Sequence, residues 1–146
     1  MTDDKAAIQA LLRGAKLRVT APRLAVLLAV VDRGQHRDAE AIAAAARGRL
    51  GTLSTQAVYD NLHLLEGAGL IRRIQPSGHP ARYEAQAHDN HHHLVCRRCG
   101  LTADVDCVVG AAPCLTPSND HGFAVETAEV IFWGQCPHCQ SETKKD

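Results

Sequence analysis

The sequence contains few aromatic residues and no long apolar run. Aromatic side chains make up 3% of the 146 residues, so a core must be built mainly from Ala, Leu, Val and Ile. No stretch approaches the roughly 18 apolar residues that span a bilayer. The acidic start, MTDD, also lacks the basic region of a secretory signal. These absences predict a soluble, cytoplasmic protein without a membrane segment.

The chain as a whole has no net charge, because 16 Lys and Arg balance 16 Asp and Glu. The balance is uneven along the sequence. Residues 1–85 carry 12 basic and 8 acidic residues, a net of +4, whereas residues 86–146 carry 4 and 8, a net of −4. A basic first half indicates a polyanionic partner such as nucleic acid.

Cysteine is absent from the first 95 residues, and all six cysteines follow them. Four of these form two CxxC pairs, Cys96 with Cys99 and Cys136 with Cys139. Each pair puts two thiolates on one tight turn, and four thiolates complete a tetrahedral set that suits Zn²⁺ and leaves no position open for catalysis. A redox CxxC is the alternative, but it needs one pair in a thioredoxin-like setting. We therefore predict one structural zinc per chain.

The apolar spacing of residues 1–85 predicts four helices followed by a basic β-hairpin. Thr20 and Ser54 are typical helix N-caps, and the third helix is expected to begin near Asp38 and end at Gly48. The hairpin turns at residues 76–78. This order predicts an N-terminal winged helix-turn-helix domain over residues 1–85.

In such a domain the fourth helix enters the major groove and the hairpin lies along phosphates. The outward positions of that helix are Gln56, Tyr59, Asp60 and His63, and the hairpin carries Arg72 and Arg73. The alternative interpretation is a small helical domain with a solvated polar face.

The remaining sequence predicts a second, smaller α/β domain, which makes the fold class α+β. Strand-like segments run from His93 to Cys96, from Leu101 to Val105 and from Val125 to Trp133. We expect a hinge at residues 86–91, a dimerisation and zinc-binding domain at 92–140, and a disordered tail at 141–146. A half of this size buries little apolar area, so it is expected to complete its core against a second copy.

A second group of possible metal ligands lies near the hinge. If His91, His92 and His93 form a strand, His91 and His93 share one face. Glu84 precedes them and Asp104 follows. Two imidazoles with carboxylates suit Fe²⁺, Mn²⁺ or Zn²⁺.

Four motifs occur along the chain in a fixed order: Leu17 to Arg23, Ser54 to Tyr59, His91 to Cys99 and Cys136 to Cys139. Together they resemble the Fur family of metal-dependent repressors over nearly the whole chain. Shorter stretches, including Gln56 to Asp60 and Asp104 to Cys107, resemble its FurA-type branch, whose members commonly repress a neighbouring catalase-peroxidase gene and their own gene.

The resemblance implies a homodimeric repressor that binds an AT-rich palindrome when its sensing site holds Fe²⁺ or Mn²⁺. It also implies that Arg18 enters the minor groove, Arg23 contacts phosphate and Tyr59 touches a thymine methyl. The ligands implied for the sensing site are His36, Glu84, His91, His93 and Asp104.

The sequence departs from the family pattern at several positions. Peroxide-sensing members usually have Asp where this chain has Glu84, and many members have Arg where it has Asp60. A third metal site, found in some members, is either absent here or rebuilt from His92 and His121. Cys107 and Cys114 are additional, either as buried small side chains or as a thiol pair that oxidises to a disulfide.

Two other classes of function compete with the repressor. One is a small zinc-dependent enzyme built around His91, His93 and a carboxylate, and the other is a metal-storage protein with no DNA role. We predict no enzymatic activity, because the sequence offers no obvious nucleophile, lid or substrate pocket.

Overall fold

The computed structural model of the protein describes residues 2–32, 36–86, 92–105, 118–125 and 130–144. The chain divides into two compact units, Met1–Ala87 and His88–Asp146, which we call unit 1 and unit 2. Within the described ranges, no helix is long and apolar enough to cross a membrane.

Unit 1 contains four helices, and side chains cap three of them. The hydroxyl of Thr20 accepts a hydrogen bond from the Arg23 N–H at 3.3 Å, and the hydroxyl of Ser54 accepts from the Ala57 N–H at 3.1 Å. Asp38 caps its helix in the same way. Such caps satisfy N–H groups that have no partner inside the helix. The helices are α1 (Thr2–Gly14), α2 (Ala21–Val31), α3 (Ala39–Leu50) and α4 (Thr55–Gly67).

The predicted end of the third helix at Gly48 is wrong, because α3 continues to Leu50. A glycine inside a helix costs only about 1 kcal/mol relative to alanine, so it need not end the helix. The helix ends at Gly51 instead. That residue has a φ of 82°, and its N–H donates to the Arg47 carbonyl at 2.7 Å.

The core of unit 1 is aliphatic, as the composition predicts. Each helix contributes apolar side chains to it, and the fully buried ones come mainly from α2 and α4. The largest of these side chains are Leu12, Leu27, Ile42, Leu62, Leu65 and Ile71.

A small antiparallel sheet completes unit 1. Strands β2 (Ile71–Ile74) and β3 (Arg82–Ala85) form the predicted hairpin. A further strand, β1 (Arg37–Asp38), adds to the other edge of β3, so that the strand order is β1-β3-β2. The sequence did not predict β1.

Unit 2 contains a second three-stranded sheet, with the strand order β5-β4-β6. Strand β4 (His92–Cys96) pairs antiparallel with β5 (Thr102–Val105) and parallel with β6 (Ile131–Gly134). The third strand is therefore shorter than predicted: Val125 is exposed and outside it, and residues 126–129 lie outside the described residues.

Helix α5 (Pro137–Thr143) overlaps the tail that was expected to be disordered. That prediction is wrong for residues 141–143, because α5 continues through them to Thr143. The Thr143 hydroxyl donates to the Cys139 carbonyl at 2.8 Å, so the last turn uses a side chain to satisfy the backbone. Residues 145 and 146 lie outside the described residues, as does most of the predicted hinge, residues 87–91.

Candidate metal centres and nucleic-acid interface

The four cysteines of the two CxxC pairs meet in unit 2. Cys96 ends β4 and Cys99 lies in the turn after it, whereas Cys136 caps α5 and Cys139 lies in its first turn. All four thiols are free, and their sulfur atoms lie within 4.8 Å of one another.

The spacing of these sulfur atoms suits zinc. The Sγ atoms of Cys99 and Cys136 are 3.8 Å apart. A tetrahedral zinc with Zn–S bonds of about 2.3 Å would separate its sulfur ligands by about 3.8 Å. The donor set is all sulfur and closed, so it fits a structural Zn²⁺ rather than a catalytic one.

The electrostatics of the cluster also favour a cation. Backbone N–H groups of Cys136 and Cys99 point at the Cys96 sulfur and lower the pKa of that thiol to about 6. Burial and the three neighbouring sulfurs raise the pKa of the Cys139 thiol to about 12. Without a metal, the Cys96 thiol therefore ionises readily, whereas the Cys139 thiol stays protonated. A bound cation allows all four thiols to ionise, because it stabilises every thiolate of the set.

A buried imidazole and a buried carboxylate meet in unit 1. The Nε2 atom of His36 lies 2.7 Å from Oε2 of Glu84, and both side chains are less than a tenth exposed. His36 directly precedes β1 and Glu84 lies on β3, so the pairing of these strands brings the two residues together. Imidazole nitrogens and carboxylate oxygens are ligands for Fe²⁺, Mn²⁺ and Zn²⁺, so this pair can supply part of a metal site.

A second imidazole and carboxylate meet in unit 2. His93 on β4 and Asp104 on β5 are direct cross-strand neighbours, with Nε2 and Oδ1 3.2 Å apart. His93 is fully buried, whereas the Asp104 side chain is about half exposed. His91, the other histidine predicted for this site, lies outside the described residues, as do Cys107 and Cys114.

His92 lies between these residues in sequence but makes a different contact. It is fully buried, and its Nδ1 accepts a hydrogen bond from the Val130 N–H at 3.3 Å. His121 lies in an exposed turn of the same unit. The role of either residue in a third metal site stays a prediction.

The outward face of α4 is polar, as predicted. Gln56, Asp60 and His63 are exposed, and Tyr59 is 49% exposed. The opposite face is buried in the core through Val58, Leu62 and Leu65. The helix is therefore fixed to unit 1 by one side and offers the other to solvent.

The predicted phosphate-contacting arginines have varied surroundings. Arg18 and Arg73 are exposed, and Arg72 is half-buried. Arg23 donates to the Arg18 carbonyl at 2.6 Å and to Asn61 Oδ1 on α4 at 3.3 Å. It therefore fixes α4 against the start of α2, a structural role that sequence reasoning missed.

A groove separates α4 from the hairpin on this face. Its walls include Tyr59, His63, Arg73 and Tyr83. Burial raises the pKa of Tyr83, and the nearby Arg73 guanidinium opposes that rise. The lining also contains the carboxylates of Asp60 and Glu66, so aromatic rings and side chains of both charge signs meet in this groove.

Sequence reasoning also missed Arg82. Its Nη1 donates to the His36 carbonyl at 2.7 Å, and so holds the backbone that carries the imidazole. Arg82 lies opposite Asp38 across β1 and β3. The contact with the His36 carbonyl could therefore be inferred only once β1 was known.

Comparison with known proteins agrees with these features. Residues 14–132 match the ferric uptake regulator family. The chain is 58% identical over 135 residues to the transcriptional regulator FurA of Mycobacterium tuberculosis, an alignment that covers 92% of this chain and 91% of the relative. It is 57% identical over 133 residues to the ferric uptake regulation protein 2 of Mycolicibacterium fortuitum, covering 90% and 91%.

The fold matches solved structures as well. The Helicobacter pylori ferric uptake regulator Fur aligns with a TM-score of 0.69 and 20% identity, over 92% of this chain and 90% of that one. This confirms the predicted α+β fold class, a helical part with a β-hairpin followed by a smaller α/β part. The enzyme alternative finds no support among these relatives. The chain belongs to the ferric uptake regulator family, whose members are metal-responsive regulators of transcription.

Proposed function

We propose that this chain is a homodimeric repressor that binds an AT-rich palindromic operator when a divalent ion occupies its regulatory site. Its expected targets are oxidative-stress genes such as a catalase-peroxidase gene and its own gene. It would act in the cytoplasm, where bacterial DNA is. The observation that carries the proposal is the exposed polar face of α4, anchored to the core by its other side.

DNA binding rests on shape and charge in unit 1. Helix α4 has an exposed Tyr59 and Gln56, which suit contacts with base edges in the major groove. The basic hairpin lies next to it in the fold, and residues 1–85 carry a net charge of +4. Arg18, Arg23, Arg72 and Arg73 are proposed to contact or approach the DNA backbone, which would fix the position of α4 without reading sequence.

Regulation rests on the two imidazole–carboxylate pairs. One pair, His36 and Glu84, belongs to unit 1, and the other, His93 and Asp104, belongs to unit 2. We propose that one Fe²⁺ or Mn²⁺ takes ligands from both pairs and from His91. An ion shared in this way would favour one arrangement of the two units over others. The ion can shift the equilibrium between these arrangements only by as much as its binding affinity differs between them. This difference therefore limits the effect of the metal on DNA binding.

Dimerisation rests on apolar surface in unit 2. Leu94 and Phe132 are neighbours across β4 and β6, and they are 45% and 39% exposed. Phe123 is 75% exposed in the same unit. Leu94 and Phe132 thus form an exposed apolar pair on the sheet, and exposed apolar surface of this kind is typical of an interface. We propose that a second copy covers them, over the predicted dimerisation domain at residues 92–140.

The response to oxidant is proposed to act at the regulatory site rather than at Cys107 and Cys114. Bound ferrous iron supplies one-electron chemistry with peroxide that Mn²⁺ does not readily supply. Oxidation of a ligand imidazole such as His93 would remove one ligand and so weaken metal binding. Glu84 has a longer side chain than the Asp typical of peroxide-sensing members. We therefore expect the rate of oxidation at the bound iron to depend on whether Glu or Asp occupies position 84.

A gel-shift assay on the DNA upstream of the chain's own gene tests the proposal. The zinc-containing protein should shift this DNA with Mn²⁺ present and release it when Mn²⁺ is withdrawn. His36→Ala should lose most of the Mn²⁺ effect, and His138→Ala, a control at an exposed position of α5, should keep it. Metal binding without any effect on DNA would instead support the metal-storage alternative.

A further inference from the structure

The exposed face of α4 carries two side chains that are hydrogen-bonded to each other. Gln56 and Asp60 lie one helical turn apart, and Nε2 of Gln56 donates to Oδ1 of Asp60 at 2.8 Å. Both side chains are exposed and flank Tyr59. They lie on the surface assigned above to the major groove, so a role for this pair in reading DNA rests on the proposed function.

Asp60 determines the orientation of the Gln56 side-chain amide, that is, whether its nitrogen or its oxygen faces Asp60. A carboxylate only accepts hydrogen bonds, so the group that faces it must be the amide nitrogen and not the amide oxygen. The oxygen, Oε1, therefore points away from Asp60, and the nitrogen keeps a second hydrogen to donate. The Gln56 side chain thus offers one acceptor and one donor in a defined orientation.

An acceptor beside a donor is complementary to the major-groove edge of adenine. Adenine presents an amino donor at N6 next to an acceptor at N7. Guanine presents two acceptors, cytosine an amino donor, and thymine an acceptor beside a methyl group. We propose that Gln56 reads adenine in the operator and that Asp60 is a positioning residue that holds the Gln56 amide for this contact.

Asp60 is expected to have two distinct effects on DNA binding. Its charge changes the affinity for every sequence, whereas its hydrogen bond to Gln56 changes the preference for one base. A carboxylate on a DNA-facing surface repels phosphates and weakens binding to every sequence alike. Removing it therefore raises affinity for all duplexes. The orienting hydrogen bond, by contrast, affects only discrimination at the adenine that Gln56 contacts. The two effects can be measured apart.

Selection from a random duplex library, followed by fluorescence anisotropy on the selected sites, tests the proposal with the full-length, zinc-containing, Mn²⁺-loaded protein. The wild-type chain should select an adenine at one position of each half-site, preferred about 5- to 150-fold over other bases, the range of one bidentate contact. Gln56→Ala should lose that preference and keep the rest of the site. Replacing this adenine with 7-deazaadenine, which lacks N7, should weaken wild-type binding but not binding by Gln56→Ala.

Variants at position 60 test the positioning role. Asp60→Ala should lose most of the adenine preference while binding all duplexes more tightly. Asp60→Asn should recover only part of the preference, because its amide can either accept a hydrogen bond from Gln56 or donate one to it, and so no longer fixes the orientation of the Gln56 amide. Glu40→Ala is the matched control, since it removes a carboxylate from an exposed position of α3 and should leave selectivity unchanged. The double variant Gln56→Ala/Asp60→Ala should discriminate no worse than Gln56→Ala.

Three results would overturn the proposal: an unchanged adenine preference in Gln56→Ala, an unchanged preference in Asp60→Ala, or a further loss of discrimination in the double variant. The last result would mean that Asp60 itself contacts a base. A wild-type chain that binds no DNA under any metal condition would refute the proposed function as a whole. That outcome is distinct from selective binding that ignores positions 56 and 60.

Discussion

Replacing one zinc ligand, Cys136→Ser, should unfold unit 2 and abolish the dimer. The variant removes one of four sulfurs that lie within 4.8 Å of one another. Three thiols remain, and the pKa of one of them, Cys139, is already raised to about 12 by burial and its neighbours. Without the cation, the buried Cys139 sulfur has no positive charge to stabilise its thiolate.

The size of the effect depends on how little else holds unit 2 together. Among its described residues, the buried apolar side chains are Val95, Cys96 and Cys139, and two of these are proposed zinc ligands. Burying a valine contributes about 1.5–3 kcal/mol. Binding a structural zinc contributes on the order of 10 kcal/mol of folding free energy. Loss of the metal should therefore outweigh the remaining packing in this unit.

Zinc content, sedimentation equilibrium and circular dichroism would measure the outcome. Wild-type protein should hold one zinc per chain and sediment as a dimer. Cys136→Ser should lose the zinc and the dimer but keep most of its helical signal, because α1 to α4 have a separate aliphatic core. Cys107→Ser is the matched control and should behave as wild type. A folded, dimeric, zinc-free Cys136→Ser protein would refute the reasoning.

The remaining predictions concern DNA binding, oxidation and stability. Tyr59→Ala should erode discrimination between operator and random DNA in an anisotropy assay, and intact discrimination would show that α4 does not read the bases. Arg73→Ala should weaken binding to all sequences about equally and reduce the slope of log affinity against log salt by about 1. After peroxide, Fe²⁺-loaded protein should release its operator and Mn²⁺-loaded protein should keep it. The Cys107→Ser/Cys114→Ser variant should respond as wild type, and peroxide resistance in that variant alone would favour the thiols. Ser54→Ala should lower the free energy of unfolding of unit 1 by about 1 kcal/mol in urea denaturation, since it removes the cap of α4; no change would mean that the cap contributes nothing.

Much of unit 1 could be predicted because its signals are local. The N-caps Thr20 and Ser54 precede apolar residues at helical spacing, and the hairpin turn is marked by Pro76 and Gly78. Both features depend on neighbours only a few residues away. The two CxxC pairs are local in the same sense, although their meeting depends on the sheet of unit 2.

Other features could not be predicted, because they depend on contacts between distant parts of the chain. Strand β1 has two residues, too few for any periodicity, and it exists because β3 offers an edge some 45 residues later. The contact between Arg82 and the His36 carbonyl follows from that pairing. The meeting of His36 with Glu84 has no local signal either. Only the resemblance to a family selected His36 from the nine histidines.

The two errors in helix ends have a common cause. Gly48 and Ser141 are poor helix formers, and the sequence predicted a stop or disorder near each. Each of these residues disfavours a helix by only about 1 kcal/mol or less relative to alanine, and in both places a hydrogen bond near the helix end outweighs that cost. These contacts are the Gly51 N–H with the Arg47 carbonyl and the Thr143 hydroxyl with the Cys139 carbonyl.

Metal-dependent operator binding is the central claim, and one titration tests it most directly. Fluorescently labelled DNA from upstream of the chain's own gene is mixed with zinc-containing wild-type protein or His93→Ala, and Mn²⁺ is added while anisotropy is recorded. The wild-type protein should bind tightly only as Mn²⁺ is added, and His93→Ala should stay weak at the same Mn²⁺ concentrations while retaining its zinc. Equal operator affinity of the wild-type protein with and without Mn²⁺, or an unchanged Mn²⁺ response in His93→Ala, would contradict the claim.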